Sequence, residues 1–151
     1  MNILIACEYS GRVREAFRAR GHNAISCDLL PSEDDSQFHV IGDVRALLQN
    51  SWDMVIAFPD CTYLCGSGWH WVGRGRIEKD GRPRIEHVTE ALAFARMFID
   101  GKETAHIPRR VVENPIGKLS TLVRKPDQII QPHWFGDDAS KATCLWLHGV
   151  H

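Results

Sequence analysis

The feature that most constrains this chain is a series of short apolar runs that do not alternate and that each end near a polar residue. NILIAC (2–7) leads to Glu8, HNAISCDLL (22–30) contains Asp28, and HVIGDV (39–44) contains Asp43. DMVIAF (53–58) leads to Pro59, Asp60 and Cys61, and RRVVENP (109–115) contains Glu113 and Asn114. Runs this short, bounded by turn signals and lacking a two-residue period, fit strands covered on both faces. DQIIQP (127–132) and ATCLWLHG (142–149) give two more strands, for seven in all. Between them, RVREAFRARG has helical spacing, with Val13, Ala16 and Phe17 on one side and Gly21 as a stop. RALLQN and IGKLSTLVR read as short helices. IEHVTEALAFARMFIDG is the strongest helix, with Ile85, Val88, Leu92, Ala95 and Ile99 on one face and Gly101 as its cap. Strands and helices in alternation give an α/β fold, a mostly parallel sheet flanked by helices, as a single domain over residues 1–151.

That order puts Glu8, Asp28, Asp43, Cys61 and Glu113 after or at the carboxyl ends of successive strands. Open α/β sheets bind ligands outside that edge. The shared placement points to an enzyme acting on a small molecule or using a cofactor.

Composition removes several other classes. A chain of 151 residues with 44% hydrophobic content has enough for one core and too little for two ordinary domains. The formal net charge of −1 excludes a polycation that coats nucleic acid without specificity. Residues 1–75 carry six Lys/Arg against nine Asp/Glu, and residues 76–151 carry twelve against ten, a mild asymmetry with no basic tail. The cysteine count, five, is odd, which fits free thiols and a reducing, cytoplasmic setting. MNILIACEYSGR has no basic region ahead of its apolar run, so no signal peptide is expected, and no run approaches the length of a membrane span.

CEYSGR can turn the chain into a helix whose N–H groups suit a carboxylate or another electronegative ligand atom. It is neither GxGxxG nor a P-loop, so a nucleoside with a light tail fits better than a dinucleotide. Asp28 can accept from both ribose hydroxyls and Asp43 from an adenine amine; equally, either can start a loop or cap a helix. Cys7 and Cys27 read as buried thiols. Cys61 lies beyond its strand after Pro59 and can face Glu113 across one pocket as a nucleophile, although Asp60 repels a thiolate; equally, Cys61 can be a small buried hydrophobe and Glu113 an exposed strand end or a partner of Arg109 or Arg110. Cys61, Cys65 and His70 lack the second compact ligand pair of a structural zinc site, and no metal ligands are assigned. Residues 66–84 hold five glycines and no sustained period, which reads as a flexible loop or lid. Within it Trp69, Arg74, Arg76, Arg82 and Arg84 suit base and phosphate contacts, or else form a solvated loop with Trp packed inward.

Three motifs in order carry a family resemblance. FPDCT resembles the proline–cysteine motif of cytosine-5 DNA methyltransferases, VVENP their Glu–Asn motif and GDV their adenine-contacting turn. From MNILIACEYSG to ATCLWL the chain also resembles small phage-associated DNA-methylase-like proteins. The resemblance implies a Rossmann-like fold and S-adenosylmethionine as cofactor. It casts Cys61 as the thiolate that adds to C6 of the pyrimidine, Glu113 as the contact to N3 and the exocyclic amine, and Asn114 as the group that holds the strand end. Glu8, Tyr9, Ser10 and Gly11 would border the methionine portion, with Asp28 at the ribose, Asp43 at the adenine and Pro59 beside them. Asp60 stands where the family has a second proline. The thirty-six residues after Pro115 leave no room for the family's target-recognition region. The substrate is then DNA read with help from a protein partner, or a cytosine-containing nucleotide; a relative that binds nucleic acid or protein without turnover is the alternative.

Overall fold

β1 (Asn2–Ala6) and β4 (Met54–Ala57) lie side by side at the centre of a seven-stranded sheet in a computed structural model that describes residues 1–150, Ser67 by its backbone alone. The strand order is β3-β2-β1-β4-β5-β7-β6, with β2 at Asn23–Asp28, β3 at His39–Ile41, β5 at Arg109–Pro115, β6 at Gln128–Ile130 and β7 at Thr143–His148. The first five strands are parallel, and β7 runs antiparallel to both β5 and β6. This is the mostly parallel α/β sheet that the apolar runs imply, and the Rossmann-like fold that the resemblance implies. The reversal of β7 is the one feature they leave unread.

Both faces are covered, which explains the absence of alternation. Ile3, Ile5, Ala24, Met54 and Ile56 pack on one side with Val13 and Phe17 of α1 (Arg12–Arg18). Leu4, Ala6, Val55, Ala57 and Val112 pack on the other with Ala95, Phe98 and Ile99 of α3 (Arg84–Ile99). The two remaining helices, α2 (His70–Gly73) and α4 (Leu119–Leu122), are single turns. No helix among the described residues is long and apolar enough to cross a membrane.

Helical spacing placed two residues on the wrong face. Ala16 is exposed, and the buried position of α1 belongs to Arg14. Ile85 is 49% exposed, and Arg84 takes its inward place on α3. Arg14 is inside with all three guanidinium nitrogens donating, and Arg84 with two of its three, its Nε being buried without an acceptor. Arg14 Nη1 donates to Ser26 Oγ at 2.6 Å, Nη2 donates to Asp34, and Nε donates to Glu15 at 2.9 Å. A buried guanidinium without such acceptors is expelled by its desolvation cost. Gly11, at φ 75°, is the residue this arrangement requires, since a Cβ there would lie 2.4 Å from Arg14 Nη2.

The Arg14–Asp34 pair gives a pH dependence. The Ser32 hydroxyl and the Arg14 guanidinium hold the Asp34 carboxyl down to about 2, against an ordinary 3.8. A depressed carboxyl stabilises the fold above its unfolded value, and that contribution fades as pH falls through the folded value. Thermal melts of the wild type should therefore lose Tm between about pH 4 and pH 2 more steeply than melts of Asp34→Asn. Parallel curves for the two proteins would contradict this assignment.

Candidate functional site

β1 neighbours β2 on one side and β4 on the other, so the chain leaves the centre of the sheet in opposite directions. Ligands of open α/β sheets lodge at such a switch point. A cavity of about 750 Å³ lies there, lined by Tyr9, Cys27, Asp28, Gly42, Asp43, Phe58, Asp60 and Tyr63 from the sheet side. His87, Glu90 and Phe94 of α3 close it from the helix side. Cys7, also on its wall, sits at φ 60°, a left-handed conformation unusual for a non-glycine residue, and its N–H donates to Cys27 O at 2.8 Å.

The expected cofactor residues divide into those on the wall and those behind it. Tyr9, Asp28 and Asp43 line the cavity; Glu8, Ser10, Gly11 and Pro59 do not. Glu8 is 7% exposed, and its Oε1 accepts from Val13 N at 3.0 Å and Ser10 Oγ at 2.8 Å. The helix-start N–H that the sequence offered to a ligand carboxylate is thus taken by the protein's own. Glu8 Oε2 is buried and has no donor. Asp28 Oδ1 accepts from Leu30 N at 3.0 Å. Asp43 does cap a short 3-10 turn, Val44–Leu47, through Arg45 N at 2.9 Å, and it pairs with the Arg45 guanidinium at 3.1 Å.

Beyond β4 the chain forms one tight turn. Pro59 O accepts from Asn114 Nδ2 at 2.7 Å, which ties the end of β4 to the end of β5. Asp60 Oδ1 accepts from Thr62 N at 2.9 Å and from Thr62 Oγ1 at 2.7 Å. Cys61 O accepts from Leu64 N at 3.0 Å and Cys65 N at 2.9 Å. A bridge between Cys65 and Gly117, with Lys118 N donating to Leu64 O at 2.8 Å, fastens this turn to the loop after β5. Only glycine fits at 117, where a Cβ would lie 2.4 Å from Leu64 O. Cys61 and Glu113 therefore stand on adjacent strand ends, with Ala57 registered to Val112 just before them.

Burial, and then the Asp60 charge, push the Cys61 thiol up, while Lys141 acts in the opposite sense. Burial likewise pushes the Glu113 carboxyl up, against Lys141 and the Thr143 hydroxyl. Lys141 is thus the cation shared by both groups. Sequence reasoning missed it because it comes near only when β7 returns antiparallel to β5, with Thr143 opposite Pro115. Cys7 and Cys27, pushed up by burial to about 12 and about 11, are unreactive thiols at neutral pH.

Residues 66–84 contain a 3-10 turn at Gly66–Gly68, helix α2, and a bridge between Ile77 and Pro83. Trp69 lies under Lys118 Nζ at 4.6 Å, and Trp71 lies under Arg74 and Arg76 at 5.5 and 5.3 Å. Arg82 is committed to Glu86 and Glu90 on α3. Arg84 departs furthest from the expectation of a phosphate contact. It is 8% exposed, its Nη1 donates to Glu78 at 2.7 Å and its Nη2 donates to Thr62 O at 3.3 Å. Gly68 makes room for it, since a Cβ there would lie 2.4 Å from Nη2.

No family model matches the chain, and no curated protein matches it. Among solved structures it is similar to a TehB-like SAM-dependent methyltransferase from Corynebacterium glutamicum, at 19% identity and a TM-score of 0.45, over 99% of this chain and 80% of that one.

The Arg84 geometry predicts a stability contrast. Arg84→Met leaves Glu78 with a weakened partner set and should cost about 2–3 kcal/mol in urea unfolding. Arg74→Ala should stay within about 0.5 kcal/mol, as for other surface changes. Equal costs at the two places would refute a structural role for Arg84.

Proposed function

We propose that this chain is an S-adenosylmethionine-dependent methyltransferase that acts on C5 of cytosine, in DNA or in a cytidine nucleotide, with Cys61 as nucleophile. The observation that carries the reading is one shared edge. The switch-point cavity has acids from β2 and the β3 end on its wall, and the Cys61 turn and Glu113 occupy the next two strand ends.

The cavity residues fit the cofactor. About 750 Å³ falls within the range of small-molecule sites. Asp28 has acceptor capacity for ribose hydroxyls beyond its Leu30 bond, and Asp43 retains lone pairs for an adenine amine. When bound, the cofactor supplies an electrophilic methyl on a sulfonium sulfur.

The side chains then divide the work. Cys61 releases its S–H proton to solvent and its Sγ forms a bond to C6, so that the C5–C6 electron pair becomes available at C5, which is a poor nucleophile before that addition. Glu113, pushed toward its protonated form by burial, suits donation to N3 as charge builds on the ring. Asn114 keeps the Cys61 turn in place through Pro59 O. Once C5 holds the methyl, its proton leaves to a solvent base, the C6–S bond breaks toward sulfur and the aromatic ring is restored.

A second reading has one observation in its favour: burial and Asp60 both oppose thiolate formation at Cys61. On that reading the chain binds cofactor and nucleic acid, or a protein partner, without turnover. Calorimetric titration with S-adenosylmethionine and its demethylated product, paired with transfer of a radiolabelled methyl to DNA and to cytidine nucleotides, separates the two. We expect binding and transfer, with Asp28→Ala weakening binding about 10- to 100-fold and Asp28→Asn less. Binding without transfer, even with a candidate partner added, favours the second reading, and no binding at millimolar ligand refutes both forms of the cofactor site.

A further inference from the structure

Asp60 is the one residue among those described that both lines the switch-point cavity and is bonded through its peptide to Cys61. Of the other acids on the wall, Asp28 likewise meets no cation among the described residues, and two differ. Asp43 is paired with Arg45 and Glu90 with Arg82, whereas the Asp60 carboxylate is met by the Thr62 N–H and hydroxyl and by no cation among the described residues. The turn that carries it has little freedom, since Pro59 O is held by Asn114 and Cys61 O accepts from two amides. Cys61 also feels the opposite sign, from Lys141. The sulfur is therefore under the influence of one anion next to it in the chain and one cation from the segment before β7.

We propose that Asp60 makes Cys61 respond to the charge of the cavity's ligand: a ligand with a positive centre beside Asp60 arms the thiol as a nucleophile, and a ligand of the same shape without that charge leaves it unarmed. The proposal rests on the cofactor reading above and adds a function to it. Loss of its methyl turns a sulfonium into a neutral thioether, so the same molecule changes charge as it is spent. A cation beside Asp60 offsets the carboxylate's field at the sulfur and leaves the opposite influence of Lys141 in place. Cys61 is then reactive when a methyl donor is loaded and resting when spent cofactor fills the site, which prevents unproductive adducts. Because Asp60 is exposed, solvent screens the effect, and it amounts to roughly three- to tenfold in thiol reactivity rather than the larger change of a buried pair.

The test reads thiol chemistry instead of methyl transfer. Alkylation of Cys61 by iodoacetamide is followed by peptide mass mapping near pH 8, in the free protein and in samples saturated with S-adenosylmethionine, its demethylated product, or an analogue carrying an amine in place of the sulfonium. Calorimetry on the same preparations establishes occupancy. Since the cofactor and its product differ in shape by one methyl group, steric shielding is nearly common to them and the comparison reads charge. We expect alkylation about three- to tenfold faster with the two cationic ligands than with the neutral product. Asp60→Asn should raise the ligand-free rate and bring the three bound rates together, while Lys141→Met should slow all of them and keep their ratio. Equal rates with bound cationic and neutral ligands, or a ratio that survives Asp60→Asn, would overturn the proposal. Failure of every ligand to bind would overturn the cofactor reading and the charge response with it.

Discussion

The hydrogen bond from Asn114 Nδ2 to Pro59 O decides where β4 ends and the Cys61 turn begins. Asn114 is 2% exposed, so losing this partner would leave a buried amide unmet at a cost of about 1–3 kcal/mol. The bond reaches across adjacent parallel strands whose registers match up to Ala57 and Val112. It therefore converts sheet register into the position of a side chain that lies outside the sheet. The bridge of Cys65 to Gly117 and the Arg84 bond to Thr62 O hold the same turn from two further directions. A reactive sulfur on an unsupported loop would lack this definition, and precise placement is worth several orders of magnitude in rate.

The sheet was legible because its centre is covered twice. Ile3, Leu4, Ile5 and Ala6 are all fully buried, on alternating faces, so the run shows no period and reads as an inner strand. The acids and Cys61 were legible for a related reason: parallel strands end at one edge, and polar residues that follow apolar runs collect there. What stayed hidden needed partners distant in sequence. Arg14 and Arg84 look like surface charges until Ser26, Asp34, Glu78 and Thr62 O supply acceptors. Lys141 looks like a loop residue until β7 reverses beside β5. Glu8 was read as facing a ligand, yet half of its carboxylate serves α1 and only Oε2 remains unmet.

The site's electrostatics hold a tension. Its acids suit a cofactor with hydroxyls and an amine, yet Asp60 opposes the charge state that Cys61 needs for covalent chemistry. Lys141 offsets part of that opposition and also faces Glu113, which burial keeps nearer its protonated form. A thiol placed in this way, with an acid on the next strand, fits the proposed chemistry, which starts only when other charges enter the site.

The central claim is that Cys61 adds to a cytosine ring, and covalent trapping tests it most directly. A 5-fluorocytosine substrate, given as DNA and as a nucleotide together with S-adenosylmethionine, blocks the last step because fluorine cannot leave C5 as a proton does. The account predicts an intact mass equal to protein plus methylated substrate, with the bond mapped to Cys61, lost in Cys61→Ala and kept in Cys65→Ala. An adduct on Cys65, or none from protein shown to bind both cofactor and substrate, would contradict it.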